Sequence, residues 1–164
     1  MAAIRPTWRW ICQHPARWLA FGAGAGLIRP APGTWGTLLG WAVFVLIDPF
    51  LTTPHWFGLI LAAFFCGIWL CRTTSHHLQV KDHGGIVWDE IVAIWLVLLF
   101  LPRDLMSQAW GFLAFRLFDI LKPPPIRYYD QHWSGGLGVM WDDIVAAGYA
   151  LLLLAVLQRF GLFA

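Results

Sequence analysis

At 164 residues the chain has the length of one domain, and 59% hydrophobic against 12% charged residues excludes an ordinary water-soluble one, for which about 25% charged is typical. Twelve tryptophans and a mean hydropathy of +0.64 agree, because water-facing helices need polar faces that this composition does not supply. The formal charge of +2 implies no nucleic-acid partner. It also hides an asymmetry: Arg5, Arg9, Arg17 and Arg29 all precede the first acid, Asp48, and positive residues flanking a first membrane segment stay cytoplasmic.

In chain order, residues 5–20 interleave Trp8, Trp10 and Trp18 with Arg5, Arg9 and Arg17. This mixture suits the lipid headgroup region, and a plain N-terminal helix fits it equally, so residues 1–21 are read as a leading segment of a single domain, 1–164. Residues 22–37, GAGAGLIRPAPGTWGT, predict a structured loop, since glycine and proline oppose extended helix. Apolar runs follow at 37–47, 56–71, 91–101, 105–115 and 144–157. They are rich in Leu and Ala and separated by helix breakers.

The expected fold is therefore all-α: an integral membrane bundle of about six helices, about five of them apolar and membrane-embedded. Most runs fall short of the ~20 residues that cross a hydrocarbon core, so the depth of insertion stays open, as does the oligomeric state. If all five cross with the N-terminus inside, the loop before 37, the segment 72–90 and the loop 122–143 share the cytoplasmic face. The opposite face receives only short turns around 48–54 and 102–104.

Cys12, Cys66 and Cys71 show no metal-site spacing and read as packing residues. The apolar part of LAFGAGAG is too short for a convincing cleavable signal. Cys66 and Arg72 stand at the Cx5R spacing of cysteine-dependent phosphatases, but residues 67–71 continue an apolar helix whose N–H groups are spent internally. His76 and His77 read as polar helix-end residues, and Lys81 and Asp82 as rim or plain surface residues.

The chemistry concentrates in 115–150, FRLFDILKPPPIRYYDQHWSGGLGVMWDDIVAAGYA. Arg116, Asp119 and Lys122 line one side of a helix at i, i+3, i+6. Pro123, Pro124 and Pro125 end that helix, a loop with Gly135, Gly136 and Gly138 follows, and the next helix is expected to begin at Asp142 and Asp143. A second acidic pair, Asp89 and Glu90, opens another apolar segment. Each pair has a simple alternative reading as a helix cap.

Asp119 instead lies near a helix C-terminus, where the dipole disfavours it, although it has Arg116 and Lys122 as neighbours. Acids at membrane depth are costly and usually mark working sites. Taken as one set, Asp89, Glu90, Asp119, Asp142 and Asp143 form a candidate site for a hard cation, and oxygen ligands without thiolate suit Mg²⁺. Arg116 and Lys122 are candidates for holding phosphate oxygens, joined by backbone N–H groups around Gly33, Thr34, Gly135 and Gly136.

With these patches in view, the sequence resembles the bacterial phosphatidylglycerophosphatase A family of Mg²⁺-dependent lipid phosphatases. The matching text is APGTWGT at 31–37, IVWDE at 86–90, FRLFDILKPPPI at 115–126 and GGLGVMWDDIVAAGYA at 135–150. Thr37 stands where serine is frequent, and Trp88 and Trp141 where smaller aliphatic residues are usual.

The resemblance implies a helical bundle that dephosphorylates phosphatidylglycerophosphate to phosphatidylglycerol at the inner face of the bacterial cytoplasmic membrane. It implies Asp89, Asp119, Asp142 and Asp143 as catalytic residues and places Lys122 at the family's basic position before the prolines. A water nucleophile positioned by an acid is the expected mechanism, with an aspartyl-phosphate as the minority version. Two other classes are weighed beside it: an ion-coupled transporter, whose acids would sit near mid-bilayer with access from both faces, and a non-catalytic membrane scaffold with the acids as caps.

Overall fold

The computed structural model describes residues 5–80, 83–133 and 135–161, so Lys81 and Asp82 lie outside the described residues. Among these are eight α-helices, two 3-10 turns and no strand. In order they are α1 (Trp8–Cys12), α2 (Pro15–Ala20), a 3-10 turn (Gly22–Leu27), α3 (Pro32–Ile47) with a second 3-10 turn (Asp48–Phe50), α4 (Thr53–Leu78), α5 (Trp88–Leu99), α6 (Leu105–Leu121), α7 (Ile126–His132) and α8 (Gly136–Arg159). The all-α expectation holds, and each of the five apolar runs is carried by one of α3, α4, α5, α6 and α8.

Three helical stretches are long and apolar enough to cross a membrane: Pro32–Phe50, Thr53–Leu78 and Gly136–Arg159. The central helix α5 has 12 residues, which reach ~18 Å against a core of ~30 Å. It is nonetheless buried along almost its whole length, from Asp89 through Leu99, with α3, α4, α6 and α8 packed around it. Consecutive long helices run antiparallel, so the starts of α3, α5 and α8 and the ends of α4 and α6 gather at one end of the bundle. At the other end Asp48 pairs with Arg103 and accepts the Trp56 indole N–H at 2.9 Å, joining the two short turns.

Three helix boundaries differ from the sequence reading. α3 begins at Pro32, inside the expected loop, because proline at a helix start gives up an N–H that would have no intrahelical partner. Its Gly36 and Gly40 then face α5, where an added Cβ would stand 2.4 Å from Val87 Cβ and 2.6 Å from Ile94 Cγ2; close approach of this kind is how helices pack without a hydrophobic driving force between them. After the three prolines the chain forms α7, which starts as the Ile126 and Tyr128 N–H groups bond the Pro123 and Pro125 carbonyls. Finally α8 starts at Gly136, six residues before Asp142. A Cβ there would lie 1.8 Å from the Ile68 carbonyl oxygen of α4, so glycine serves packing and not a loop.

The tryptophans act as cross-links. Trp88 Nε1 donates to the Ala63 carbonyl at 3.0 Å, Trp95 Nε1 to the Gly40 carbonyl at 2.9 Å, and Trp41 Nε1 to Gln108 Oε1 at 2.7 Å. These bonds tie α5 to α4, α5 to α3, and α3 to α6. Interhelical hydrogen bonds of this type average about 0.6 kcal/mol in a membrane.

Only Cys71 among the cysteines behaves as a packing residue, buried with its Sγ 3.9 Å from Met140 Sδ; Cys12 and Cys66 are exposed, a departure from the expectation. Cys66 to Arg72 is interior helix, as expected. His77 lies in the last turn of α4 and accepts from Arg17 Nε at 3.1 Å, which holds α2 against that end.

Candidate active site

The N-terminus of α5 is anchored by the Val87 N–H donating to the Ala20 carbonyl at 2.8 Å. Its first turn therefore presents Asp89 and Glu90 from a fixed position. Asp89 Oδ1 accepts the Glu90 N–H at 3.1 Å, so this pair partly fulfils the capping reading. The other pair does not. Asp142 and Asp143 sit inside α8, 5% and 4% exposed, where the backbone N–H groups already have helical partners.

Successive residues on an α-helix point about 100° apart, and this separates the two adjacent aspartates. Asp143 turns toward α5, and Asp89, Glu90 and Asp143 each place a carboxylate oxygen within 4.8 Å of the others. Asp142 turns toward the end of α6 and pairs with Lys122 Nζ at 2.6 Å. Lys122, the αL residue that ends α6, thus leaves the i, i+3, i+6 line expected of it.

Arg116 organises the remainder. Its Nη1 lies 2.5 Å from Asp119 Oδ2, 3.6 Å from Glu90 Oε1 and 3.4 Å from Thr37 Oγ1. The Thr37 hydroxyl in turn donates to the Gly33 carbonyl at 2.8 Å. The pairing with Arg116 offsets the helix-dipole penalty on Asp119, whose charge also acts on Glu90 and Asp143. Gly33 belongs to the first turn of α3 and not to a loop; a Cβ there would be 2.2 Å from Glu90 Oε1. Thr34 follows it, half-buried, while Gly135 precedes α8 with φ +83° and open space around it, and Gly136 is spent on α4.

Five carboxylates thus face two cations, Arg116 and Lys122. Among the described residues, Glu90 Oε2 and Asp143 Oδ2 are buried without a hydrogen-bond partner. An unsatisfied buried acceptor of this kind costs about 1–3 kcal/mol, more when charged, and a cation among the three oxygens would remove the cost together with the mutual repulsion. The donor set is all carboxylate, so the buried cluster fits a hard metal ion.

Thr37 is the contact to Arg116 in the candidate site that sequence reasoning missed. A buried hydroxyl one helical turn from Gly33, in a helix otherwise apolar apart from Thr34, was the available signal. Trp88 was likewise read as bulk beside the acids, when its indole, bonded to the Ala63 carbonyl, ties the first turn of α5 and therefore Asp89 and Glu90 to α4.

Comparison with known proteins covers the span that holds these residues. The family model described as "PgpA: Phosphatidylglycerophosphatase A" matches residues 18–158. A phosphatidylglycerophosphatase A of Haemophilus influenzae is 43% identical over 148 residues, 88% of this chain and 90% of its own. One of Escherichia coli is 40% identical over 135 residues, 82% and 78% of the two chains. A Bacteroides thetaiotaomicron protein provisionally named a phosphatidylinositol-3-phosphatase is 36% identical over 144 residues, 82% and 88%. No solved structure matches the chain. With the acids, Arg116 and both glycine turns inside the matched span, the chain belongs to the phosphatidylglycerophosphatase A family.

Proposed function

We propose that the chain hydrolyses the terminal phosphomonoester of phosphatidylglycerophosphate, yielding phosphatidylglycerol and inorganic phosphate, with Mg²⁺ held by Asp89, Glu90 and Asp143. The observation that carries this reading is the convergence of those three carboxylates from two helices, with partnerless oxygens on Glu90 and Asp143 and a guanidinium alongside. The names of the relatives differ in headgroup but share a phosphomonoester on a membrane lipid, which is the chemistry the charges address.

Bound there, the metal ion would neutralise phosphate charge and polarise the phosphorus–oxygen bond. Arg116 orients the phosphate through its planar fork, and the Asp119 and Thr37 contacts fix that fork in place. Asp119 takes the proton of the attacking water, whose oxygen joins phosphorus as the bond to the glycerol oxygen breaks, and that leaving oxygen takes up a proton from water at the rim to become the free hydroxyl of phosphatidylglycerol. Lys122, held by Asp142, stands 28% exposed at the rim and meets the phosphate as a point charge.

The site faces the cytoplasm of the bacterial cell on this reading. The supporting fact is that α2, with Arg17, packs on the end of α4 beside the acids through the Thr74 hydroxyl and the Ala16 carbonyl, so the N-terminal arginines lie at the site's end of the bundle.

The test measures Mg²⁺ binding by calorimetry and phosphate release from phosphatidylglycerophosphate in mixed micelles, for wild type, Asp89→Asn and Asp143→Asn. Both variants should lose metal affinity and lose turnover by at least ~10²-fold. Normally folded variants that keep full turnover would overturn the assignment.

A further inference from the structure

The α3 helix carries a second pattern that the phosphate chemistry leaves unused. Thr34, Leu38, Trp41, Ala42 and Val45 fall at i, i+4, i+7, i+8 and i+11, one face of a helix. Below Thr34 this face is not packed away. Together with Leu46 and, from α6, Leu105, it lines a groove of about 450 Å³ whose walls are almost wholly apolar, and Ala42, Val45, Leu46 and Leu105 are exposed along it.

The groove follows the seam between α3 and α6, the two helices whose upper turns provide Gly33, Thr37 and Arg116. Down that seam the helices meet first at Arg116 and Thr37, then where Trp41 donates to Gln108 and stacks on Phe112 with centroids 5.7 Å apart. Trp41 therefore closes the inner side of the groove and leaves the outer side open. From Leu38 to Leu46 is eight residues, ~12 Å of helix, close to the ~15 Å of one leaflet in a hydrocarbon core of ~30 Å.

We propose that this groove holds an acyl chain of the lipid substrate, which enters sideways between α3 and α6 while its phosphate is drawn in past Thr34 to Arg116. The inference rests on the lipid phosphomonoester reading above. Two other cavities fit less well. One of about 570 Å³, bounded by Leu99, Pro102, Leu154 and Gln158, lies at the end of the bundle away from the acids. One of about 280 Å³ between α4 and α8 reaches the level of the acids only at Trp141, which faces away from Asp143 on the helix surface. Of these three cavities among the described residues, the α3–α6 groove is the one that shares its helices with the phosphate-facing side chains.

The test fills the groove at exposed positions. Ala42→Trp and, independently, Val45→Trp are compared with wild type on dioleoyl phosphatidylglycerophosphate and on the water-soluble headgroup ester lacking acyl chains. Leu61→Trp, in the α4–α8 cavity, is the control. The expected result is a drop of about tenfold or more in kcat/KM on the long-chain lipid, carried mainly by KM, with the headgroup ester and the control unchanged. The proposal is overturned if both groove variants keep wild-type kcat/KM on the long-chain lipid, or if they lose both substrates equally. Wild type that releases phosphate from neither substrate overturns the phosphatase reading itself, so the two failures are distinct.

Discussion

Gly33→Ala isolates the geometry of the site from its fold. Gly33 lies in the first turn of α3, where alanine is tolerated by the backbone and favoured by about 1 kcal/mol in helix propensity. Its new methyl would nevertheless stand 2.2 Å from Glu90 Oε1 and 3.1 Å from both terminal nitrogens of Arg116, where ordinary contact begins at 3.4 Å. Glu90 must retreat by more than an ångström, and Arg116, 3.6 Å from the same oxygen, moves with it. A misplacement of ~1 Å at a reacting centre costs about 10²-fold in rate, whereas relief of the overlap costs about 1–3 kcal/mol of stability at most, partly offset by propensity. Phosphate release and thermal unfolding measured on the same detergent-solubilised protein separate the two. Gly58→Ala, where a Cβ meets nothing within 4 Å, is the control and should leave turnover unchanged. A Gly33→Ala protein with turnover within about threefold of wild type would refute the claim that Glu90 and Arg116 are held by contact with α3.

Trp95→Phe removes the buried indole bond to the Gly40 carbonyl and should lower stability by about 0.6–1.7 kcal/mol, read by denaturant unfolding in detergent, with turnover little changed because the acids lie two turns away. Asp104, at the N-cap of α6, is hydrogen-bonded by the Ser107 side chain and accepts the Ser107 N–H at 2.9 Å, and these bonds, the side-chain one foremost, hold its carboxyl below the usual value of 3.8. Its folded form is therefore favoured above that pH, and the stabilisation fades as pH falls through the lowered value. Asp104→Ala should flatten this acid limb in unfolding measured from pH 5 to pH 2, and an unchanged limb would count against the cap.

The charged residues of the site were legible because charge is scarce in this chain: Asp89, Glu90, Arg116, Asp119 and Asp143 do assemble at one end of the bundle. The division of labour between Asp142 and Asp143 was not legible, since it depends on where α8 begins and hence on which way each residue faces. That beginning was hidden by glycine. Gly33, Gly36 and Gly136 signal a loop in a soluble chain, but here they let backbones approach side chains and carbonyls across helix contacts. The helix after three prolines was obscured for a related reason, as proline ends one helix and suits the first turn of the next. Which cysteines lie outside was set by helix rotation, which composition does not reveal.

The gathering of every acid of the cluster at one end of the bundle has a directional consequence. On the proposed function, phosphate would be set free on the same side from which the headgroup arrives, while the remaining lipid would stay in its own leaflet. A lipid made in the other leaflet would then be out of reach until something else flips it, so the supply of substrate would be limited by sidedness as well as by amount.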